Sequence, residues 1–203
     1  MHKEILTKAQ IELFPLLKKV GKDYGLVGGT AIALYVGHRR SIDFDLFSYR
    51  EFKNIFLEEK IKSVIKIDKV LVDKEGELTF FAKGVKITFF RYPLWINYSE
   101  DLAKVIRVPN LITLAAMKAY ALGKRAKWKD YVDLYFIIKN HHSIAEITKK
   151  GNEIFGNEFN EKLFRIQLSY FDDVDYREEI EYLPSFEVSE KEIKKRLVEF
   201  SLE

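Results

Sequence analysis

The stretch 28-GGTAIALYVGHRRSIDFDLF-47 sets a double glycine and a hydroxyl residue, Gly28-Gly29-Thr30, ahead of two aspartates one residue apart, Asp43 and Asp45. Before it, residues 24–27 predict a short strand. After the glycines, residues 30–35 predict a short helix capped by the threonine hydroxyl. Further on, Ile42, Phe44 and Leu46 alternate with Asp43 and Asp45. A strand over residues 41–47 would therefore send apolar side chains to one face and both carboxylates to the other.

That order carries chemistry. Carboxylates at i and i+2 of a strand sit about 7 Å apart along the chain and can converge on one divalent ion. A glycine turn opening a helix offers free N–H groups and a favourable dipole to a phosphate, with no side chain in the way. Gly28, Gly29 and Thr30 are thus candidates to hold a triphosphate, and Asp43 and Asp45 to hold the Mg²⁺ bound to it, as phosphoryl or nucleotidyl transfer requires. Taken singly, a double glycine is most often a turn and Asp-x-Asp a solvated strand edge; their order and spacing give the pair its meaning.

Outward from this stretch, an amphipathic helix is predicted over about residues 2–20, with Ile5, Ile11, Leu13, Phe14, Leu16 and Leu17 on or near one stripe. A helix over 51–60 follows, then β-rich runs at 64–72, 78–82 and 85–92, the last two joined by Lys83-Gly84 as a hairpin turn. Beyond Pro109 the pattern is helical: 111–122, 128–140, 144–154, 161–171 and 190–200. The expected fold is α+β: a small mixed sheet with flanking helices in residues 1–108, then an α-helical lobe in 109–203, with the site in a cleft between them.

Composition narrows the field. The chain has 203 residues, 47% of them hydrophobic, enough for a real core but not for several domains. No apolar run approaches a membrane span and the N-terminus lacks a secretory signal, so a soluble cytoplasmic protein is expected. With no cysteine, thiolate metal sites and cysteine nucleophiles are excluded, and any metal must be a hard cation held by carboxylates or imidazoles. A formal charge of +3 is too small by itself to indicate nucleic-acid binding.

A second cluster lies in 117-MKAYALGKRAKWKDYVDLYFII-138. Lys118 and Arg125 are seven residues apart, on one helix face, and Asp130 and Asp133 share a face of the next helix. Solvated ion pairs would explain them blandly. Yet Lys118 follows LITLAAM and Asp133 sits in YVDLYFII, apolar settings where a charge needs a purpose.

Together these motifs resemble the nucleotidyltransferase AbiEii/AbiGii toxin family, a branch of the DNA polymerase β-like nucleotidyltransferases. There a double glycine with Thr or Ser, His-Arg-x-Ser and Asp-x-Asp are followed by a helical lysine, Arg-x-Lys and Asp-x-x-Asp-Leu. The segments 85-VKITFFRYP-93 and 170-YFDDVDYREE-179 extend the likeness over most of the chain. The resemblance implies a nucleotidyltransferase core in which Gly28, Gly29 and Thr30 form the nucleotide-binding turn, and Asp43 and Asp45 bind the metal. It also implies that Lys118, with Arg125, meets phosphate, and that Asp130 is a base or an organiser of the phosphate site. His38, Arg39 and Ser41 match the segment before the carboxylates, His38 with a structural role and Arg39 as a brace for the aspartates. The implied partners are an NTP, an RNA acceptor of tRNA type and a cognate antitoxin protein.

The likeness departs at Thr88, which stands in VKITFF where the wider superfamily places a third carboxylate. A non-catalytic module binding NTP or RNA therefore remains an alternative. A metal-dependent phosphohydrolase is a weaker one, since His141-His142 is a helix-end pair and no hydrolase-type His-Asp cluster is present.

Overall fold

A computed structural model describes all of residues 1–203. Its framework is one seven-stranded mixed sheet with helices packed on it. The strands are β1 (Gly25–Val27), β2 (Phe44–Ser48), β3 (Lys69–Lys74), β4 (Glu77–Ala82), β5 (Val85–Arg91), β6 (Glu100–Leu102) and β7 (Ile106–Val108). They lie in the order β3-β4-β5-β2-β1-β7-β6. The helices are α1 (Lys8–Glu12), α2 (Phe14–Val20), α3 (Gly28–Val36), α4 (Asn54–Lys62), α5 (Leu111–Leu122), α6 (Trp128–Asn140), α7 (Ile144–Phe155), α8 (Glu161–Ser169) and α9 (Glu190–Leu202). No helix is long and apolar enough to cross a membrane.

The chain from residue 2 to 20 is not the single helix its periodicity predicts. A 3-10 turn (Lys3–Ile5), α1 and α2 succeed one another. Thr7 and Gln10 form a reciprocal capping box that starts α1, and Pro15, which has no N–H to donate, lies at the start of α2. Ile11, placed on the apolar stripe, is exposed as a result.

Residues 93–108, between the last β-rich run and the helices beyond Pro109, hold β6 and β7. They hide in sequence because each is three residues long and their turn has Ala103 and Lys104 at positive φ (55° and 59°), where glycine or asparagine would have signalled a hairpin. β7 runs parallel to β1, with Gly25 opposite Arg107, and so extends the sheet beyond it. The Lys83-Gly84 hairpin has both residues at positive φ, as the sequence indicates.

β2 runs parallel to β5 and antiparallel to β1, which makes it the centre of the sheet. It starts at Phe44, later than expected. Phe44 and Leu46 are buried, but Ile42 lies before the strand and is exposed, not part of the apolar face. α3, α5 and α6 pack together beside this centre, and one apolar core runs from Ile5 to Phe200 without a break between sheet and helices. Residues 170–189 form an irregular strap that crosses back over α3 and α6. It is pinned by Leu183 N–H to the His38 carbonyl (3.0 Å), Arg40 N–H to the Glu181 carbonyl (2.9 Å) and Asp175 N–H to the Ala126 carbonyl (2.8 Å).

Candidate active site

Strand register sets the site. Val27 on β1 lies opposite Asp45 on β2, Asp45 opposite Thr88 on β5, and Thr88 opposite Thr79 on β4. Gly28 follows Val27 and turns the chain into α3 with φ +73°. A Cβ there would lie 2.2 Å from Oδ2 of Asp45, so only glycine lets the turn and the carboxylate meet.

Gly29 and Thr30 face away from that contact. A Cβ on Gly29 would meet Nη2 of Arg39 at 2.8 Å and Oγ of Ser41 at 3.1 Å. The Thr30 hydroxyl does not cap α3, whose N-cap is Val27. It is buried, within bonding reach of the Asp43 carbonyl (2.5 Å), Ser41 Oγ (2.9 Å) and the Ser41 carbonyl (3.1 Å), and so ties the approach to β2 onto α3. Buried Gln10 adds a bond from Nε2 to the Ser41 carbonyl (2.9 Å).

Asp43 sits just before β2 and pairs with Nζ of Lys86 at 2.6 Å. Lys86 lies two residues before Thr88 on β5, hence on the Asp45 face. Burial, then the neighbouring charge of Asp43, pushes the Asp45 carboxyl above its usual range. Such a crowded carboxylate pair attracts a cation, and Lys86, whose ammonium is held charged by Asp43 against the cost of its burial, already answers that attraction. No third carboxylate or imidazole joins them. Two hard oxygen donors fit Mg²⁺, which is commonly held by one or two carboxylates with substrate phosphates and water completing its octahedron.

Behind the cleft lies a buried charge network. Asp133, with no exposed surface, accepts from Arg39 through Nε (2.8 Å) and Nη2 (2.9 Å), from Nε2 of His38 (2.8 Å) and from Nζ of Lys118 (3.1 Å). Arg39 therefore braces Asp133, not Asp43 and Asp45 as expected. Asp130 takes Nζ of Lys118 at 2.6 Å and Nε of Arg125 at 3.3 Å. Burial alone would raise the Asp133 carboxyl, but Arg39, Lys118 and the His38 bond outweigh it and hold it well below the usual carboxylate range. Burial lowers His38, and its Nδ1 is buried without a partner. Because Asp133 can only accept, the His38 proton resides on Nε2.

The two motifs meet in one cleft of about 460 Å³, lined by Gly28, Asp45, Lys118 and Arg125. Asp43 stands beside it through its charge on Asp45, while Gly29, Thr30, Arg39, Ser41 and Asp130 support it from behind. Of the rest of the lining, sequence reasoning marked only Lys124, in the basic run after Lys118. Phe47 and Phe90 form an aromatic wall with Tyr92, which stacks on Phe47 at 5.1 Å. Opposite, Tyr120 stacks on Phe155 (4.0 Å), carries Lys124 Nζ 4.0 Å over its ring and donates its hydroxyl proton to Glu158. Phe90 and Lys86 were legible, since they alternate with Thr88 on VKITFF; Glu158, remote on a short 3-10 turn, was not.

Comparison with known proteins gives this geometry a family. Residues 85–200, more than half the chain, match the model described as nucleotidyl transferase AbiEii toxin, type IV toxin–antitoxin system. This match takes in the Lys118–Asp133 cluster but not Gly28 to Asp45. A protein of Aquifex aeolicus described as uncharacterized, aq_aa25, is 30% identical over 204 residues, covering 96% of this chain and 97% of its own. Among solved structures, JHP933 of Helicobacter pylori has a TM-score of 0.60 at 14% identity, over 97% of this chain and 92% of its own. MenT4, a nucleotidyltransferase toxin of Mycobacterium tuberculosis, has a TM-score of 0.58 at 13% identity, over 95% and 81% respectively, likenesses that bear on fold. The chain belongs to the nucleotidyl transferase AbiEii toxin family of type IV toxin–antitoxin systems.

Proposed function

We infer that this nucleotidyltransferase moves a nucleoside monophosphate from an NTP onto an acceptor hydroxyl, with Mg²⁺ held by Asp43 and Asp45. The observation that carries this reading is the convergence of Gly28, Asp45, Lys118 and Arg125 on one cleft. Bound there, Mg²⁺ would neutralise phosphate charge and polarise the phosphorus under attack. The chain's own groups orient the triphosphate. The Gly28 turn opens α3 toward it, and the helix N-terminus favours its charge. Lys118 has three N–H groups, of which Asp130 and Asp133 take two, leaving one for a phosphate oxygen. Arg125, half-exposed at the rim, spends Nε on Asp130 and keeps its terminal nitrogens for phosphate.

Asp130 serves in this reading as the organiser of Lys118 and Arg125, since one of its carboxylate oxygens is taken by each of those cations. The acceptor oxygen attacks the α-phosphorus, the bond to pyrophosphate breaks, and the acceptor proton leaves to water, since Thr88 cannot accept it as a carboxylate would. The aromatic wall of Phe47, Phe90 and Tyr92 suits a nucleobase. A tRNA-type acceptor and an antitoxin that silences the enzyme complete the proposal.

The test is incubation with Mg²⁺, each labelled NTP in turn and total tRNA. Label on RNA with release of pyrophosphate is expected. NTP binding with no label transferred would reduce the protein to a binding module, and release of inorganic phosphate alone would make it a hydrolase.

A further inference from the structure

A second recess, of about 380 Å³, adjoins the cleft, and Tyr92 and Leu94 line both. We propose that it seats the unpaired strand of a nucleic-acid acceptor, stacked on Trp95 and Tyr49 and held at its phosphates by Lys22, Arg50 and Arg107. The proposal rests on the nucleotidyl-transfer reading for the acceptor's purpose, but not for its binding.

Three observations carry it. Trp95 and Tyr49 are 69% and 59% exposed, and both line the recess. A single exposed aromatic is ordinary, whereas two large faces in one recess offer bases a platform. Lys22, Arg50 and Arg107 surround them, all exposed and none paired with a carboxylate. The one acid in the recess, Asp23, is matched by Lys60 at 2.9 Å. The recess is therefore electropositive and aromatic at once, the pairing that suits an unpaired strand better than an acidic peptide.

The platform is also held in place. The Tyr98 ring lies so close over Gly25 that a Cβ there would be 2.0 Å from it, and the Tyr98 hydroxyl donates to the Phe47 carbonyl (3.1 Å). Ile96 is buried beneath. The segment bearing Trp95 is thus fixed against β1 and β2, the strands that carry the Gly28 turn and Asp45. A strand leaving the recess past Tyr92 would deliver its end to the cleft.

Trp95 supplies its own probe, because the only other tryptophan, Trp128, is buried. The full chain is titrated with 12-nucleotide single-stranded oligoribonucleotides and oligodeoxyribonucleotides over a range of salt. The expected result is quenching of Trp95 emission on saturation, with affinity falling with salt at a logarithmic slope of about −2, as three phosphate contacts on a single strand give. Preference for one sugar identifies the source of the acceptor. Trp95→Phe should still bind but lose the quench, and Arg50→Glu with Arg107→Glu should weaken binding at least tenfold and flatten the salt slope. Thermal melting checks that these variants fold, and Trp95→Ala, altering only an exposed side chain, gives an independent loss of stacking. Mg²⁺-NTP affinity of all variants should match the parent. Absence of quenching, parent-like strand affinity in the charge-reversed variant, or equal competition by polyglutamate would overturn the proposal, the last in favour of an acidic protein. If no NTP donates to any acceptor while the strand still quenches Trp95, the transfer reading fails and the recess stands as a binding site.

Discussion

Gly28 and Asp45 occupy a space that admits no further atom: a Cβ on the glycine would sit 2.2 Å from the carboxylate oxygen, on a backbone already at φ +73°. The proposed phosphate turn and the proposed metal ligand are therefore one unit. Gly28→Ala should drive the Asp45 side chain away and strain the turn. We expect a loss of about 1–3 kcal/mol in stability and a much larger loss in Mg²⁺-dependent transfer. Calorimetry with Mg²⁺-NTP checks it: parent-like affinity in a folded variant would separate the turn from the site.

Asp45→Asn tests the carboxylate itself. Burial and the charge of Asp43 raise its pKa in the fold, so keeping the carboxyl charged costs the folded state stability. The amide keeps the shape and drops the charge. Melting temperature should hold or rise while label transfer falls by about two orders of magnitude or more. The stability gap to the parent should close as pH falls from the raised folded pKa through the unfolded value, because the parent carboxyl is then neutral in both states. Transfer at the parent rate would remove Asp45 from the metal site.

Lys118→Met asks two questions at once, because Lys118 both joins Asp130 to Asp133 and faces the cleft. Removing it leaves two buried carboxylates short of a cation, at a cost of about 3–5 kcal/mol and a melting temperature lower by on the order of 10 °C. Measured well below that temperature, NTP affinity should also fall by about 1–3 kcal/mol, the worth of one charge-assisted bond. Unchanged affinity in the destabilised variant would leave Lys118 as scaffold only.

Much of this site was legible because its signals are local. The glycine pair opening an apolar helix and Asp-x-Asp among alternating apolar residues declare themselves within twenty residues, and Lys118 and Asp133 stand out as charges in apolar helices. What stayed hidden depends on register and distance. That Arg39 would reach Asp133, 94 residues away, follows only from how α3 lies on α6. That Gly29 backs onto Arg39 while Gly28 meets Asp45 turns on the direction of one peptide, and β6 and β7 are too short to show a period.

His38 yields the last prediction. It donates to Asp133 from Nε2 while Nδ1 has no partner, and it lies fully buried beside Arg39 and Lys118. Those two cations already balance Asp130 and Asp133, so a proton on His38 would be a surplus buried charge. Burial is the largest cause of its lowered pKa, and the two cations add to it against the pull of Asp133. The sign follows: above the unfolded histidine value of about 6.5 neither state binds the proton, and the neutral imidazole contributes its full stability. As pH falls below that value the unfolded chain takes the proton first, so stability drops by up to about 1.4 kcal/mol per pH unit until the folded pKa is reached. The parent should therefore lose melting temperature between pH 6.5 and 5. His38→Gln can still donate to Asp133 but cannot titrate, and its melting temperature should change less over that interval, though it starts lower at pH 7.5. Parallel curves for parent and variant would show that another group sets the acid sensitivity and that the network tolerates a charged His38.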